Sequence, residues 1–320
     1  MAVGMTALVA IDLGAAGRER LRTAFPDVSF TFAGSSAEVV AAAPQAEVML
    51  AHSLPREAAE AALRLRWLQA GTSGVSHLLY SEFRERGVVL TNARAQGLPM
   101  AELVLAMMFA FATRLPLLIE AREAREPAGL AVAREKFELE GQTLVILGLG
   151  DVGGTLCRKA AAIGMRVLGV RRRPDILCPG AERVVGVDRL REVLPQADHL
   201  AVTLPLSQGT RGFIGAAEVA WLRPGTYVYN VGGGPTIDRA ALLAGLRDGR
   251  IGGAGLDVTD PDPLPPDDPL WREPNVLLTQ HTSGASPRNH ERIAAIFADN
   301  LRRYRNGEPL LYVVDQSIGI

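Results

Sequence analysis

The segment at residues 144–174 constrains the fold more than any other part of this chain. A short apolar run is followed by Gly148, Gly150 and Gly153, then by a helical stretch and a second apolar run. This order predicts a strand, a tight turn, a helix and a strand, the unit that binds a dinucleotide. Gly148 permits the turn, Gly150 lets backbone approach a pyrophosphate, and Gly153 lets the helix pack on the strand, while the helix N-terminus offers N–H groups to the phosphates. The alternative is a glycine-rich turn in an ordinary parallel sheet.

Three consecutive arginines, Arg171, Arg172 and Arg173, follow the second strand. In an NAD site, an Asp or Glu about 20 residues beyond the glycines accepts hydrogen bonds from the ribose 2′-hydroxyl. Counted from Gly153, that position falls at Arg171, which has no acceptor to offer. A planar guanidinium suits a 2′-phosphate instead. The sequence therefore predicts a preference for NADP(H), with NAD(H) still possible; the alternative is a solvated basic turn.

Composition narrows the class of protein. The chain has 320 residues, 48% of them hydrophobic, and a formal net charge of −1, which favours two globular domains and no nucleic-acid partner. Its two cysteines, Cys157 and Cys178, are too few for a disulfide framework and lack the spacing of a metal site. The longest apolar stretch, at 103–112, is too short to span a bilayer, and no signal peptide is recognised. We expect a cytoplasmic protein without a metal or a membrane partner.

Apolar runs alternate with helical stretches along the chain, which predicts an α/β fold with parallel sheets. Strands are predicted at 6–11, 48–51, 67–69, 88–91, 144–147, 167–170, 199–203, 227–230, 255–258, 276–279 and 310–314. Helices are predicted at 37–43, 55–65, 216–222, 239–248 and 287–306, with a long one at 101–125 that is kinked near Pro116. The segment at 260–269 is rich in proline and aspartate, and a loop is predicted there.

Four segments beyond the glycine turn carry a second pattern. They read LPLSQGTRGFI at 204–214, YVYNVGGGPTID at 227–238, GAGLDVTDPDPL at 253–264 and LLTQHTSGAS at 277–286. Together with the glycine turn they resemble the D-isomer-specific 2-hydroxyacid dehydrogenase family, and GTSGV at 71–75 and residues 100–102 resemble its N-terminal part. The basic strand end is most similar to the NADPH-using glyoxylate, hydroxypyruvate and related 2-ketoacid reductases of that family.

The resemblance implies an α/β fold with two doubly wound parallel-sheet domains, in which a Rossmann nucleotide domain is inserted into a flavodoxin-like substrate domain. It assigns the NAD(P)-binding domain to residues 99–286 and the substrate domain to residues 1–98 plus 287–320. In such proteins the active site lies in the cleft between the domains. A homodimer built on the nucleotide domains and the long helix before them is also implied.

A histidine after an apolar strand carries the predicted chemistry. Reduction of a 2-ketoacid requires hydride at the carbonyl carbon and a proton at its oxygen, and an imidazole titrates near neutrality. His281 ends an apolar strand and is followed by small residues, which leaves its ring open at the carboxyl edge of a sheet. The resemblance makes His281 the catalytic acid/base, paired with Asp262, where the family usually has the longer Glu. The alternative is a structural histidine.

The largest departure from the family pattern is at Gly233. In an N-V-x-R-G pattern the family has an arginine there that clamps the substrate carboxylate and polarises its ketone, whereas this chain reads NVGGG at 230–234. Losing a buried cationic partner of a carboxylate costs about 3–5 kcal/mol, or about 10²–10⁴ in rate or affinity. We therefore expect a weakened catalyst, through an engineered change, a drift to another substrate or a loss of function. Arg94 is a candidate replacement charge, with a solvated loop arginine as the alternative.

The remaining site residues are predicted from one turn and from the resemblance. A Gly-Thr-Ser-Gly turn exposes successive amides to an anion, with a plain loop as the alternative. Substrate binding is therefore predicted at Gly71, Thr72, Ser73, Gly74 and Val75. The resemblance implies further cofactor contacts from Asp151, Val152, Leu204, Pro205, Thr210, Val231, Gly232, Asp257 and Gly284.

Two classes of function are compatible with these patterns. The first is an NADPH-dependent reductase that converts a small 2-ketoacid to the D-2-hydroxyacid with a proton from His281. The second is a nucleotide-sensing binding protein similar to the C-terminal-binding-protein corepressors, which resemble the same family. Gly233 favours the binding protein, whereas His281 and Asp262 favour the enzyme. Oxidation of formate or phosphite is disfavoured, since those anions also need a cation, and the identity of the 2-ketoacid stays open.

Overall fold

The structure, a computed structural model, describes residues 4–316 except for the side chain of Ser76. These residues form two compact units. The first combines the chain up to Gln96 with the chain from Ser286 onward, and the second is Gly97–Ala285. Each unit is built on its own parallel sheet. The substrate and nucleotide roles predicted for the two segments stay predictions at the level of the fold.

The strands and helices alternate along the chain, as the sequence predicts. The strands are β1 (Thr6–Ala10), β2 (Ser29–Phe32), β3 (Val48–Ala51), β4 (Trp67–Ala70), β5 (Val89–Thr91), β6 (Thr143–Leu147), β7 (Arg166–Val170), β8 (Arg183–Val185), β9 (His199–Val202), β10 (Thr226–Asn230), β11 (Ile251–Leu256) and β12 (Val276–Leu278). The α-helices are α1 (Gly14–Ala24), α2 (Ser36–Ala42), α3 (Arg56–Ala61), α4 (Ser81–Glu85), α5 (Gly97–Thr113), α6 (Leu115–Ala124), α7 (Gly129–Ala133), α8 (Asp151–Ala162), α9 (Leu190–Val193), α10 (Ala216–Trp221), α11 (Arg239–Arg247) and α12 (Asn289–Asn306).

The sheet of the first unit has the strand order β2-β1-β3-β4-β5, with every pair parallel. This is the order of the flavodoxin-like doubly wound fold. Alternate residues of β1 pack into different parts of the core. Ala7 and Val9 are buried with residues of α1 and α12, whereas Leu8 is buried with residues of α2, α3 and α4. Such alternation with a period of two is expected of a strand that is buried on both faces.

The sheet of the second unit has seven parallel strands in the order β12-β11-β10-β9-β6-β7-β8. The chain order reverses between β6 and β9, which is the switch point where dinucleotides bind in doubly wound sheets. Leu144 and Ile146 of β6 are buried with residues of α5 and α8, whereas Val145 and Leu147 are buried with residues of α10 and α11. The turn after β6 therefore lies at the switch point of a sheet that is covered on both faces.

The long predicted helix is broken into α5 and α6. Arg114, between them, has a φ of 54°, and the two helices are bent by 63°. The break thus falls at Arg114 rather than at Pro116, which lies in the first turn of α6, where its missing N–H is tolerated. Of the helices in residues 4–316, no single one is long and apolar enough to cross a membrane, although the bent pair together passes by length and composition.

The observed elements depart from the predicted ones where strands are short or rich in glycine. The sequence reasoning missed the strands β2 and β8 and the helices α1, α4, α7 and α9, and β11 begins at Ile251 rather than at 255. Gly252 and Gly253 interrupt the apolar run of β11, which hides its start. The strand predicted at 310–314 is wrong, because Val313 makes one isolated antiparallel bridge to Thr91 and no strand forms there.

Candidate active site

The predicted acid/base pair joins two loops, with His281 after β12 and Asp262 after β11. His281 Nδ1 lies 2.7 Å from Asp262 Oδ2, so the shorter aspartate still reaches the ring. The exposed fraction is 65% for the His281 side chain and 34% for that of Asp262. Because a carboxylate only accepts hydrogen bonds, Nδ1 carries the proton of this contact. Within residues 4–316, His281 Nε2 has no hydrogen-bond partner, and it is therefore the nitrogen that can exchange a proton with a substrate.

Asp257, which follows β11, fixes the loop that holds His281. Its side chain is buried, with 1% exposure, and accepts a hydrogen bond from Thr279 Oγ1 at 2.6 Å. The amides of Thr282 and Ser283 donate to the same carboxylate at 2.9 and 3.0 Å. Burial by itself would raise the pKa of Asp257, but these hydrogen bonds outweigh it, and the pKa is lowered. The carboxylate is thus held ionised inside the loop.

The backbone at His281 is in an unusual conformation. Its φ is 54°, in the left-handed region that costs a non-glycine residue about 1–2 kcal/mol. The His281 amide donates to the Asp257 carbonyl at 2.8 Å, and the bonds from the Asp257 side chain flank it on both sides. Asp257 therefore holds the ring-bearing residue in place. Its predicted contact with a cofactor stays a prediction.

The turn between β6 and α8 has the geometry that its glycines predict. Gly148 has a φ of 91°, which glycine adopts without a Cβ clash. A Cβ on Gly153 would lie 1.9 Å from the Gly148 carbonyl oxygen, so α8 meets the turn too closely for any other residue. Thr203, just after β9, donates from Oγ1 to the same carbonyl at 2.7 Å. The turn is thus held from both sides.

The start of α8 forms an open cradle. A Cβ on Gly150 would meet no atom within 4 Å, and no side chain caps the amides of α8 from the N-cap position at Gly150. The carboxylate of Asp151 instead accepts a hydrogen bond from the Gly97 amide at 2.8 Å, at the start of α5. Open backbone and uncapped helix amides fit the pyrophosphate of a dinucleotide, which is the group the glycine pattern predicts.

The three predicted phosphate-binding arginines follow β7. Arg171 is half-buried and donates through Nη1 to the Ile176 carbonyl at 3.4 Å, whereas Arg172 and Arg173 are exposed. In the part of the chain that the structure describes, no carboxylate lies within 4 Å of these guanidinium groups. Cations without an acidic partner at the end of the second strand suit a phosphate rather than a ribose hydroxyl.

Gly233 lies in a loop that closes tightly around it. A Cβ at this position would lie 2.7 Å from Leu206 Cβ and 2.9 Å from the Leu206 amide nitrogen. The Gly233 amide donates to the Leu204 carbonyl at 3.0 Å, and Asn230 Nδ2 donates to the Gly233 carbonyl at 3.2 Å. Any side chain at Gly233 requires the Leu206 backbone to move. This chain therefore differs from the family pattern in the packing of the loop as well as in the absence of the arginine side chain.

Other predicted cofactor residues shape the same loops. Thr210 Oγ1 donates to the Pro205 carbonyl at 2.6 Å, and a Cβ on Gly232 would lie 2.3 Å from the Leu204 carbonyl oxygen. These contacts fix the backbone beside the glycine turn and bring no side-chain charge to it. Cofactor contacts remain predictions for Val152, Leu204, Pro205, Thr210, Val231, Gly232 and Gly284.

The predicted substrate turn, residues 71–75, lies in the first unit after β4. A Cβ on Gly71 would lie 2.6 Å from His52 Nδ1, so this ring packs directly on the turn. Among the groups that the structure describes, which exclude the side chain of Ser76, none accepts a hydrogen bond from the amides of Ser73, Gly74 or Val75. The 71–75 turn thus offers successive amides to an anion.

Sequence reasoning missed two residues that build the site. Thr203 and Asn230 stand at the carboxyl ends of β9 and β10, where a polar side chain after a buried run is a usable signal. Leu206 belongs to the 204–214 segment, which resembles the wall of the cofactor site in the family, but its backbone contact with Gly233 has no signal in the sequence. No group of three or more His, Cys, Asp or Glu side chains in the described residues is arranged to hold a metal ion.

The pattern of the second unit matches a known family model. Residues 105–283 match the model described as D-isomer specific 2-hydroxyacid dehydrogenase, NAD binding domain. The chain belongs to the D-isomer specific 2-hydroxyacid dehydrogenase family. The predicted resemblance and the predicted class, an NAD(P)-dependent oxidoreductase, are thereby confirmed.

Similar proteins include one curated relative and two solved structures. A glyoxylate reductase of Korarchaeum cryptofilum is 31% identical to this chain and covers 84% of it and 82% of the relative. A family member from Aeromonas salmonicida subsp. salmonicida has a TM-score of 0.83 and 31% identity, covering 98% of this chain and 99% of its own. Another, from Xanthobacter autotrophicus and in complex with NADPH and MES, has a TM-score of 0.83 and 27% identity, covering 99% of both chains. The predicted fold class is confirmed.

Proposed function

We propose that this dehydrogenase reduces a small 2-ketoacid to the D-2-hydroxyacid with NADPH. The observation that carries the proposal is the 2.7 Å contact between His281 Nδ1 and Asp262 Oδ2. His281 follows β12 and the glycine turn follows β6, and both strands belong to the same parallel sheet. Hydride transfer to a carbonyl requires a proton donor and a nucleotide cradle held by one scaffold.

The protein's own part in the reaction is to hold and move a proton. When bound, the nicotinamide supplies the hydride that reaches the carbonyl carbon. Asp262 accepts the Nδ1–H of His281, which fixes the tautomer and the orientation of the ring. Nε2 then donates its proton to the carbonyl oxygen as negative charge develops there. In the oxidative direction, the same nitrogen removes the proton of the hydroxyl group.

The preference for NADPH is supported by charge at the end of β7. Arg171, Arg172 and Arg173 are cations without an acidic partner in the described chain, and no carboxylate stands where a ribose hydroxyl would be bound. The Xanthobacter autotrophicus structure was solved with NADPH, which agrees with this preference. A KM for NADH below that for NADPH would contradict it.

The same proposal includes slow turnover. The 71–75 turn offers amides for the substrate carboxylate, but Gly233 brings no cation to polarise the ketone. An oxyanion that develops without one donor costs about 10²–10³ in kcat. We therefore expect measurable but slow reduction of glyoxylate and hydroxypyruvate.

The decisive experiment follows NADPH oxidation with a panel of 2-ketoacids. We expect His281→Asn to lower kcat by about 10²–10⁴, since general acid catalysis contributes that much. Asp262→Asn should lower kcat less, because it retains an acceptor for Nδ1–H. The Kd for NADPH, measured by fluorescence, should be unchanged in both variants. Equal turnover by wild type and His281→Asn would remove the ring from the mechanism.

A nucleotide-sensing binding protein is the second candidate, because Gly233 removes the cation that a reductase would use. The two functions separate in the same experiment. Tight NADPH binding with no turnover of any 2-ketoacid would favour the sensor, whereas turnover that depends on His281 favours the reductase.

We also propose a homodimer through α5 and α6. Four apolar side chains on these helices are exposed by 37–49%: Phe109, Leu115, Leu117 and Ile119. Apolar side chains exposed on two adjoining helices are suited to contact with a second protein surface. Light scattering on the wild type and on Leu115→Glu tests this, and a wild-type monomer at all concentrations would contradict it.

A further inference from the structure

The described part of the first unit holds an arginine whose guanidinium has no acidic partner there. Arg94 follows β5 and is exposed, and its guanidinium carbon lies 4.6 Å from the centroid of the Tyr312 ring. Within residues 4–316, no carboxylate lies within 4 Å of it and no oxygen accepts a hydrogen bond from it. Stacking occupies only the face of a guanidinium, so its in-plane N–H groups remain able to bind a carboxylate through two parallel bonds.

Hydrogen bonds tie the neighbour of this arginine to the 71–75 turn. The Ala93 amide donates to the Thr72 carbonyl at 3.1 Å, and Ser73 Oγ donates to the Ala93 carbonyl at 3.1 Å. Arg94 therefore leaves the backbone next to a residue bound to the 71–75 turn, in which the amides of Ser73, Gly74 and Val75 make no hydrogen bond to any described group.

Tyr312 is a fixed platform for the guanidinium. Its carbonyl accepts a hydrogen bond from the Asn92 amide at 3.1 Å, and the next residue, Val313, bridges Thr91 at the end of β5. The ring and Arg94 are thus attached to the same end of the same strand. A long side chain that is stacked loses less conformational freedom on binding than one that is free in water.

We propose that Arg94 binds the carboxylate of the 2-ketoacid together with the amides of Ser73, Gly74 and Val75, in place of the arginine that the family has at the position of Gly233. The inference rests on the proposed reductase function. Position 233 of the second unit carries no cation, and the Leu206 backbone closes on it. Among residues 4–316, the guanidinium of Arg94 has no acidic partner, and Arg94 follows directly on Ala93, which is hydrogen-bonded to the predicted substrate turn of the first unit.

This assignment separates two tasks that one arginine performs in the family pattern. Arg94 and the amides supply attraction for the carboxylate, which determines how tightly the substrate is held. They bring no second donor to the ketone, which determines how fast it is reduced. We therefore expect Arg94 to control KM, while kcat stays low in wild type and variants alike.

The test measures KM for glyoxylate and hydroxypyruvate, together with the Kd of oxamate, a 2-ketoacid analogue that cannot be reduced. Arg94→Gln should raise both constants by about 10- to 100-fold, the value of a charge-assisted hydrogen-bond pair. Arg94→Lys should raise them less, because an ammonium keeps the charge but not the bidentate geometry. The matched control is Arg20→Gln, another exposed arginine of the first unit, on α1. Neither constant should change in that control.

The outcomes distinguish this inference from the function on which it rests. If wild type reduces 2-ketoacids and Arg94→Gln has an unchanged KM and an unchanged Kd for oxamate, Arg94 is not the carboxylate site. If wild type reduces nothing, the proposed function fails, and weaker oxamate binding by Arg94→Gln still supports the site. Should Arg94→Gln lower the Tm, Arg94→Lys decides, because it keeps a cation over Tyr312.

Discussion

Two glycine turns follow buried parallel strands, one in each unit, and they differ in what comes next. The turn after β6 leads into the twelve-residue helix α8, whose first amides point together at one place. The turn after β4 leads into a three-residue 3₁₀ turn, Ser76–Leu78, which has no long helix to align the amides before it. The first arrangement attracts a diphosphate through aligned dipoles, and the second needs a side-chain cation beside it.

The two turns also differ in how strictly they need glycine. Gly148 has a φ of 91°, and a Cβ on Gly153 would lie 1.9 Å from a carbonyl oxygen. In the other turn, a Cβ on Gly74 would meet nothing within 4 Å. A site at a helix N-terminus therefore requires glycine at fixed positions, which form a recognisable pattern in the sequence. A site formed by loop amides requires glycine less strictly, so its sequence pattern is less specific.

Gly153→Ala should have the largest effect, because its Cβ would collide with backbone and not with a movable side chain. We expect a loss of about 3 kcal/mol in the free energy of unfolding and a large rise in the Kd for NADPH. Gly154→Ala on the same helix is the control, since its Cβ would meet no atom within 4 Å. It should raise stability by about 0.5–1 kcal/mol. Equal behaviour of the two variants in thermal unfolding would contradict the steric argument.

Acid should weaken the second unit through His199, which lies on β9 beside β6. Burial lowers the pKa of His199 to about 4, against the opposing effect of Asp198. The unfolded chain, with its pKa near 6.5, takes up the proton first, so stability is complete above that pH and falls as the pH drops toward 4. The full loss is about 3 kcal/mol. Urea unfolding at several pH values checks this, and His199→Gln should flatten the acid slope.

Gly233→Ala should cost about 1–2 kcal/mol, because the new Cβ would press on Leu206 Cβ and its amide nitrogen. Gly233→Arg carries the same clash, so it should lower the Tm by at least as much. Because both variants introduce this clash, the effect of the guanidinium on turnover is the difference between Gly233→Arg and Gly233→Ala. A Tm unchanged in both variants would mean that the Leu206 backbone yields easily, and would reopen the second unit as the place of the clamp.

Gly71→Ala should have the smallest effect, near 1 kcal/mol, since its Cβ would meet the side-chain ends of Ile11 and His52, which can shift. We expect a modest rise in KM for glyoxylate, because the shift disturbs the 71–75 turn. Gly74→Ala, in open space, should leave the Tm unchanged. A large loss in Gly74→Ala instead would show that both turns need glycine equally.

The sequence predicts those parts of the molecule in which steric or electrostatic requirements permit only one type of residue. Gly148, Gly150 and Gly153 define the second unit in this way, and the sequence around His281 predicts a ring at a strand end. Asp262 is one methylene shorter than the Glu that the family usually has, and its carboxylate still lies 2.7 Å from the His281 ring.

Other parts depend on contacts that no local pattern encodes. Leu206 meets Gly233 through its backbone, and Asp257 gives its carboxylate to a loop more than twenty residues away along the chain. The edge strand β2 was missed because its alternation is half-exposed and short. The long predicted helix breaks at Arg114, two residues before Pro116, because a residue in the left-handed conformation ends a helix as a proline does.

The hold of Asp257 on its loop has a consequence for speed. Because donors from Thr279, Thr282 and Ser283 already bind that carboxylate, the residue that carries the imidazole is ordered before any reactant binds. Substrate binding therefore does not have to immobilise the proton donor. The conformational entropy of fixing the imidazole is lost once, during folding, and not at each turnover.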